Sequence, residues 1–171
     1  MKKSLLLAIA LTLSIAAGSA TKHIENYVQN LDSQVRAMLS VVIGDPGRMF
    51  RIGKIESAKD GRKVATIDSG SKKYAGTVSA DSKGVSSIFF ISQGGGGQSE
   101  ALVAIMVSTG AVLALHGPNS TPNQRGKIVK PMANKISKGE KAVFDYYGFR
   151  TTAEMNPAFG GIVVTADRKG K

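Results

Sequence analysis

The spacing of hydrophobic residues changes several times along the chain, and each spacing predicts a different kind of element. From 22 to 42 apolar residues recur every three or four positions, which predicts an amphipathic α-helix. Thr21 is expected to cap its start. Gly44-Asp45-Pro46-Gly47 is expected to end it, because proline cannot continue a helix. The apolar stripe consists of Ile24, Tyr27, Val28, Leu31, Val35, Met38, Leu39 and Val42.

After Met49 the period falls to two, which is the spacing of half-buried strands. Turn sequences divide this part of the chain into strands predicted at 49–56, 63–68, 73–80 and 85–92. Asp60-Gly61 is typical of a tight hairpin, since both positions tolerate a positive φ. The pattern predicts a four-stranded antiparallel meander. Its fourth strand is the most apolar and is expected in the interior of the sheet.

A run of four glycines at 94–97 precedes the most hydrophobic stretch after residue 20, residues 101–115. A helix of that length is about 22 Å long, too short to cross a bilayer comfortably. We therefore predict a buried core helix capped by Ser99. A pair of short strands broken at 108–110 is the alternative. The glycine run is interpreted as a flexible linker, and an anion site at the helix start is its alternative.

The last third of the chain predicts a second helix followed by strands. Thr121-Pro122 has the residues of a helix start, and Pro131 is expected to kink or split the helix that follows. Strands are predicted at 142–147 and 149–155, or as one strand bent at Gly148, and a final strand is predicted at 161–166. The fold class is therefore α+β: an N-terminal amphipathic helix, a four-stranded antiparallel meander, two central helices and a C-terminal β-hairpin. Two small subdomains divided at the glycine run are the alternative.

Residues 1–20 have the order of a secretory signal peptide. Lys2 and Lys3 precede an apolar run at 5–17, and small residues follow it. Cleavage is expected after Ala20 or, second, after Gly18, which leaves residues 21–171 as a single periplasmic or secreted domain without a membrane span. An uncleaved membrane anchor is the alternative, although the apolar run is shorter than the roughly 20 residues of a spanning helix.

The composition narrows the possible chemistry. The chain has no cysteine, which excludes thiol catalysis, iron–sulfur clusters and thiolate zinc sites. Its formal net charge is +11, and removal of Lys2 and Lys3 would leave 21 basic against 12 acidic residues, or +9. This charge favours an acidic protein or an anionic envelope polymer as partner, or it serves only to solvate the surface. Nucleic acid is not expected, because the protein is exported and has no tryptophan.

No motif in the sequence indicates catalysis. The chain has two histidines, and His116 is expected to end the apolar helix. A Ser–His–Asp triad could combine His116 with Asp145 and one of several serines, but no Gly-x-Ser-x-Gly sequence identifies a nucleophile. We expect no metal site and no cofactor.

One cluster of side chains is a candidate binding surface, because aromatic residues and arginine concentrate at interface hot spots. The alternative is a strand with one buried face. The cluster consists of Tyr146, Tyr147, Phe149 and Phe159 with Lys141 and Arg150.

The sequence favours a non-enzymatic binding or accessory module of the bacterial cell envelope. A small hydrolase of envelope polymers is one alternative function. A subunit of a surface assembly, with the helix 22–42 inserted into a neighbour, is the other.

Overall fold

The computed structural model describes residues 2–94 and 97–170, with side chains described from residue 18 onward. Three helices and seven strands follow each other along the chain. They are α1 (Lys2–Ile43), β1 (Arg51–Ser57), β2 (Lys63–Asp68), β3 (Tyr74–Asp81), β4 (Gly84–Gln93), α2 (Gln98–Leu113), α3 (Pro122–Ile136), β5 (Ala142–Tyr146), β6 (Phe149–Asn156) and β7 (Gly161–Arg168).

All seven strands belong to one antiparallel sheet with the order β1-β2-β3-β4-β7-β6-β5. The predicted four-stranded meander with a separate C-terminal hairpin is therefore wrong, although the mixed α+β class holds. Strand β7 pairs with β4, with Ile88 opposite Ala166 and Phe90 opposite Val164. The C-terminal region thus contributes three strands to the same sheet, and strands from both sides of the glycine run pair with each other.

The pairing of β4 with β7 follows from the burial of both strands. As the last strand of a meander, β4 would lie at an edge, where one row of its backbone groups would have no partner. Its centre is nevertheless buried at Ile88 and Phe90. Strand β7 presents apolar side chains at the same alternation, including Val164. Joining the two strands places both in the sheet interior, as predicted for β4, and leaves the edges to β1 and β5.

The helices cover one face of the sheet. α1 packs across β1 to β4, α2 lies over β4 and β7, and α3 lies over β5 and β6. The buried residues of the strands alternate with partly exposed ones, so the hydrophobic core lies between the helices and this face. Among the described residues, no helix is both long and apolar enough to cross a membrane.

α1 differs from its prediction at the start. The helix runs continuously through Thr21, which is therefore not its N-cap, and Ala20 is already buried. The apolar stripe from Ile24 to Leu39 packs against the rest of this same chain. A neighbouring molecule is therefore not required to cover this part of the helix.

The ends of α2 and α3 test two capping predictions. The predicted cap of α2 at Ser99 is wrong, because Gly97 is the N-cap and no side chain caps the helix there. The two-strand alternative for this segment is also wrong. α3 begins with the predicted Thr121 cap, which forms a capping box with Gln124. It continues past Pro131 as one helix, so the predicted split does not occur.

Side chains of α1 satisfy backbone carbonyls at the C-terminal end of α2, which would otherwise lack intrahelical partners. The Tyr27 hydroxyl donates to the Ala111 carbonyl at 2.9 Å, and Asn30 donates to the Ala114 carbonyl at 3.3 Å. The buried Gln34 amide donates to the Gly117 carbonyl at 2.9 Å. These three hydrogen bonds fix the C-terminal end of α2 and the loop that follows it.

Candidate functional site

A cleft of about 310 Å³ lies at the end of the sheet where the β3–β4 turn and the β5–β6 turn meet α1. Polar, cationic and aromatic side chains line it together. The lining residues are His23, Asn26, Tyr27, Asn30, Lys83, Gly84, Val85, Ala114, Leu115, Tyr147, Phe149 and Arg168. Its size is at the lower end of the range for small-ligand sites, which is roughly 300–1,000 Å³.

Tyr147 occupies a strained backbone position at the edge of this cleft. Tyr146 pairs with Phe149, so the hairpin loop consists of Tyr147 and Gly148 alone. Both have positive φ, 52° and 82°, as in a type I′ turn. That turn usually takes Asn-Gly, because other residues lose about 1–2 kcal/mol in the left-handed region. The tyrosine is therefore held in place by its surroundings.

Contacts on both sides support the Tyr147 turn. Its ring centroid lies 4.0 Å from that of His116 and 5.8 Å from that of Tyr146. The backbone N–H of Lys169 donates to the Gly148 carbonyl at 2.9 Å. Even so, the Tyr147 side chain is 58% exposed. A rigidly supported aromatic ring thus faces solvent beside the cleft.

An ion pair between Arg168 and Asp81 positions the Arg168 side chain at the cleft. Arg168 bonds to the Asp81 carboxylate and also donates to the Val85 carbonyl at 3.2 Å. Burial alone would raise the pKa of Asp81. The hydrogen bonds from Arg168 and from the Lys83 backbone N–H outweigh that effect and lower the pKa below its usual 3.8. Asp81 is therefore ionised at neutral pH and holds Arg168 in place.

Lys83 supplies the free cation of the cleft. Its ammonium group forms no ion pair with any described residue, whereas Arg168 and Lys169 are paired with Asp81 and Asp145. A second groove of about 610 Å³ adjoins the cleft and shares Lys83 and Arg168 with it.

The structure divides the predicted binding cluster between two ends of the sheet. Tyr147 and Phe149 line the cleft, with Tyr146 beside them. Arg150 is near but pairs with Asp145 at 3.6 Å. Lys141 and Phe159 lie toward the opposite end of β6, about 25 Å away for a strand of this length. Lys141 pairs there with Glu154, and Phe159 is in the β6–β7 turn.

Most cleft residues were not predicted from the sequence, among them Lys83, Arg168 and Asn26. They come from distant parts of the chain, and Lys83 and Arg168 meet because β7 lies beside β4. The Tyr-Gly loop was the one local signal, since a two-residue hairpin turn in which tyrosine takes the first position is unusual.

The structure does not assemble the triad considered from the sequence. Nδ1 of His116 is buried without a hydrogen-bond partner among the described residues. The Asp145 carboxylate instead pairs with Lys169 at 2.6 Å and with Arg150.

Among the described residues, no group of three or more His, Asp or Glu side chains could hold a metal ion. The predicted glycine linker lies partly outside the described residues, at 95 and 96.

Comparison with protein-family models gives no match, and comparisons with curated proteins and with solved structures give no significant match. The cleft is therefore interpreted from its geometry and chemistry.

Proposed function

We propose that the protein is an exported, non-enzymatic binding module of a bacterial envelope. In this proposal it binds the anionic group of an acidic protein or envelope polymer at the cleft beside Tyr147. Export rests on the signal-peptide pattern of residues 1–20, and cleavage after Ala20 would make Thr21 the first residue of the mature form.

One observation carries the binding proposal. Tyr147 is held at a positive φ that a tyrosine disfavours, and its exposed ring borders a cleft where the ammonium group of Lys83 has no acidic partner among the described residues. Strained residues persist where the surrounding structure enforces them, and they cluster at ligand sites. An aromatic ring beside a free cation suits a ligand that has both an apolar surface and a negative charge.

The test is a pull-down from envelope extract at low and high salt with three forms of the protein. The wild type should capture one component, and capture should weaken as salt screens the charge. Lys83→Gln should reduce capture several-fold. Lys59→Gln is the matched control, because Lys59 is also an exposed turn lysine that pairs with no acid in the described part of the chain, but it does not line the cleft.

Equal loss of capture in the two variants would mean that only the total charge of the protein determines capture, and it would refute binding at the cleft. Capture that is unaffected by Lys83→Gln would also refute the proposal.

A further inference from the structure

A second cationic surface lies on α3, and none of its residues lines the cleft. Residues 101–139 contain no Asp or Glu. Within this stretch, Ile128, Met132 and Ile136 form the buried side of α3. The opposite side is exposed and carries polar residues at helical spacing. These are Asn123, Lys127, Lys130, Asn134 and, just past the helix end, Lys138, and we call them the α3 stripe.

The polar groups of the α3 stripe are available to a ligand. None of its three lysines forms an ion pair with a described residue, whereas Lys135 on the flank pairs with Glu140. The side-chain amides of Asn123 and Asn134 make no hydrogen bond within the described part of the chain. Arg125, which does bond to the Ser120 carbonyl at 3.0 Å, is not a member of the stripe.

The charges of the stripe are unfavourable for the isolated helix. The first turn of α3 has no acidic residue, so no carboxylate there offsets the lysines. Lys127 and Lys130 are neighbours on one face and repel each other. An anionic chain along the helix would relieve this repulsion, over about 17 Å from Lys127 to Lys138.

The composition of the stripe discriminates between classes of anionic partner. No exposed aromatic or large apolar side chain lies on α3. Insertion into lipid requires an exposed apolar face, and single-stranded nucleic acid and protein partners use aromatic or apolar anchors. Lysine is a mobile point charge without strict geometry, and asparagine both donates and accepts hydrogen bonds. A polymer of carboxylates and hydroxyls fits this set.

We propose that the α3 stripe docks an acidic polysaccharide, with the lysines facing its carboxylates and the asparagines facing its hydroxyls. This contact is independent of the cleft and goes beyond the function proposed for it.

The test measures binding of the purified full chain to polygalacturonate at low salt. The stripe variant is Lys127→Gln, Lys130→Gln and Lys138→Gln together. Its control is Lys22→Gln, Lys59→Gln and Lys72→Gln, which removes the same charge from exposed lysines elsewhere. Matching thermal unfolding shows that both variants fold. We expect the stripe variant to bind about tenfold more weakly and the control to bind like the wild type.

Two further probes separate the partner classes, namely polyglutamate and vesicles containing phosphatidylglycerol. Stronger binding to either one than to polygalacturonate would overturn the polysaccharide assignment. Equal weakening in the stripe and control variants would show attraction by net charge alone, and it would overturn the docking surface. No binding of the wild type to polygalacturonate would also contradict the proposal. A loss of binding in the stripe variant that Lys83→Gln does not reproduce would place this contact on α3. A loss in Lys83→Gln without one in the stripe variant would place it at the cleft and overturn the α3 assignment, so the two proposals can fail separately.

Discussion

At the scale of single residues, Tyr147 links the fold to its proposed role. Its positive φ costs stability, and the ring contacts with His116 and Tyr146 offset only part of that cost, because the side chain remains 58% exposed. A residue selected only for folding would be glycine or asparagine at this place in the turn. Under the proposed function, the tyrosine is retained for the contact that its ring would make with a ligand at the cleft.

Replacing Tyr147 by glycine tests this interpretation. Tyr147→Gly should raise the free energy of unfolding by about 1 kcal/mol, because glycine adopts the turn without strain. The same variant should lose capture of the envelope component. Denaturant unfolding measures the first effect, and the pull-down measures the second. A variant that is both less stable and still able to bind would show that the tyrosine serves packing.

The ion pair between Asp81 and Arg168 should make the free energy of unfolding depend on pH. The pKa of Asp81 is lower in the folded state than its usual 3.8, so its contribution is present above that value and is lost as the pH falls through the folded pKa. Asp81→Asn should therefore reduce stability by about 1 kcal/mol at pH 7. The difference from wild type should shrink below about pH 4. Unfolding curves between pH 2 and 7 measure this difference in stability. A difference that stays constant would contradict a stabilising role of the ion pair.

At the scale of elements, the crossing of α1 and α2 depends on a glycine. A Cβ added at Gly110 would lie 2.4 Å from Cγ2 of Val35 and 3.2 Å from Cε of Met38. The two helices approach closely because this side chain is absent. The same approach lets Tyr27 and Asn30 reach the carbonyls at the end of α2.

Gly110→Ala should destabilise the protein by about 1–3 kcal/mol through overpacking. Gly126→Ala is its matched control, because Gly126 is also a helical glycine but has open space around its Cβ position. That control should stabilise the protein by about 0.5–1 kcal/mol, since alanine is the better helix former. Thermal unfolding of both variants tests the pair. A tolerated Gly110→Ala would mean that α1 and α2 can separate without cost.

At the scale of the whole molecule, elements that short sequence patterns define could be predicted, whereas the pairing of strands that lie far apart in the chain could not. Strand β2 was predicted at its observed bounds, since an Asp-Gly turn and alternating residues define it locally. The Thr121 cap was likewise a short-range pattern. The pairing of β4 with β7 joins residues far apart in the chain, and no turn sequence encodes it. The cleft depends on that pairing, so Tyr147 could be proposed from the sequence while Lys83 and Arg168 could not.

The start of the mature chain is a prediction at this same scale. Cleavage after Ala20 would shorten α1 to a helix that begins at Thr21 and would leave its packed stripe from Ile24 to Leu39 intact. Mass spectrometry of the protein recovered from the periplasm or medium should show an N-terminus at Thr21 or, second, at Ser19. An intact N-terminus in the membrane fraction would instead support the anchor.

The most direct test of the proposed function is photo-crosslinking in cells that export the protein. The photoreactive residue p-benzoylphenylalanine would replace Tyr147 at the cleft or, as a control, Val143, which is 49% exposed on the same hairpin away from the cleft. Position 147 should yield one discrete crosslinked species that salt and Lys83→Gln both diminish, and position 143 should yield none. Equal crosslinking from the two positions, or no crosslink from 147, would contradict binding at the cleft.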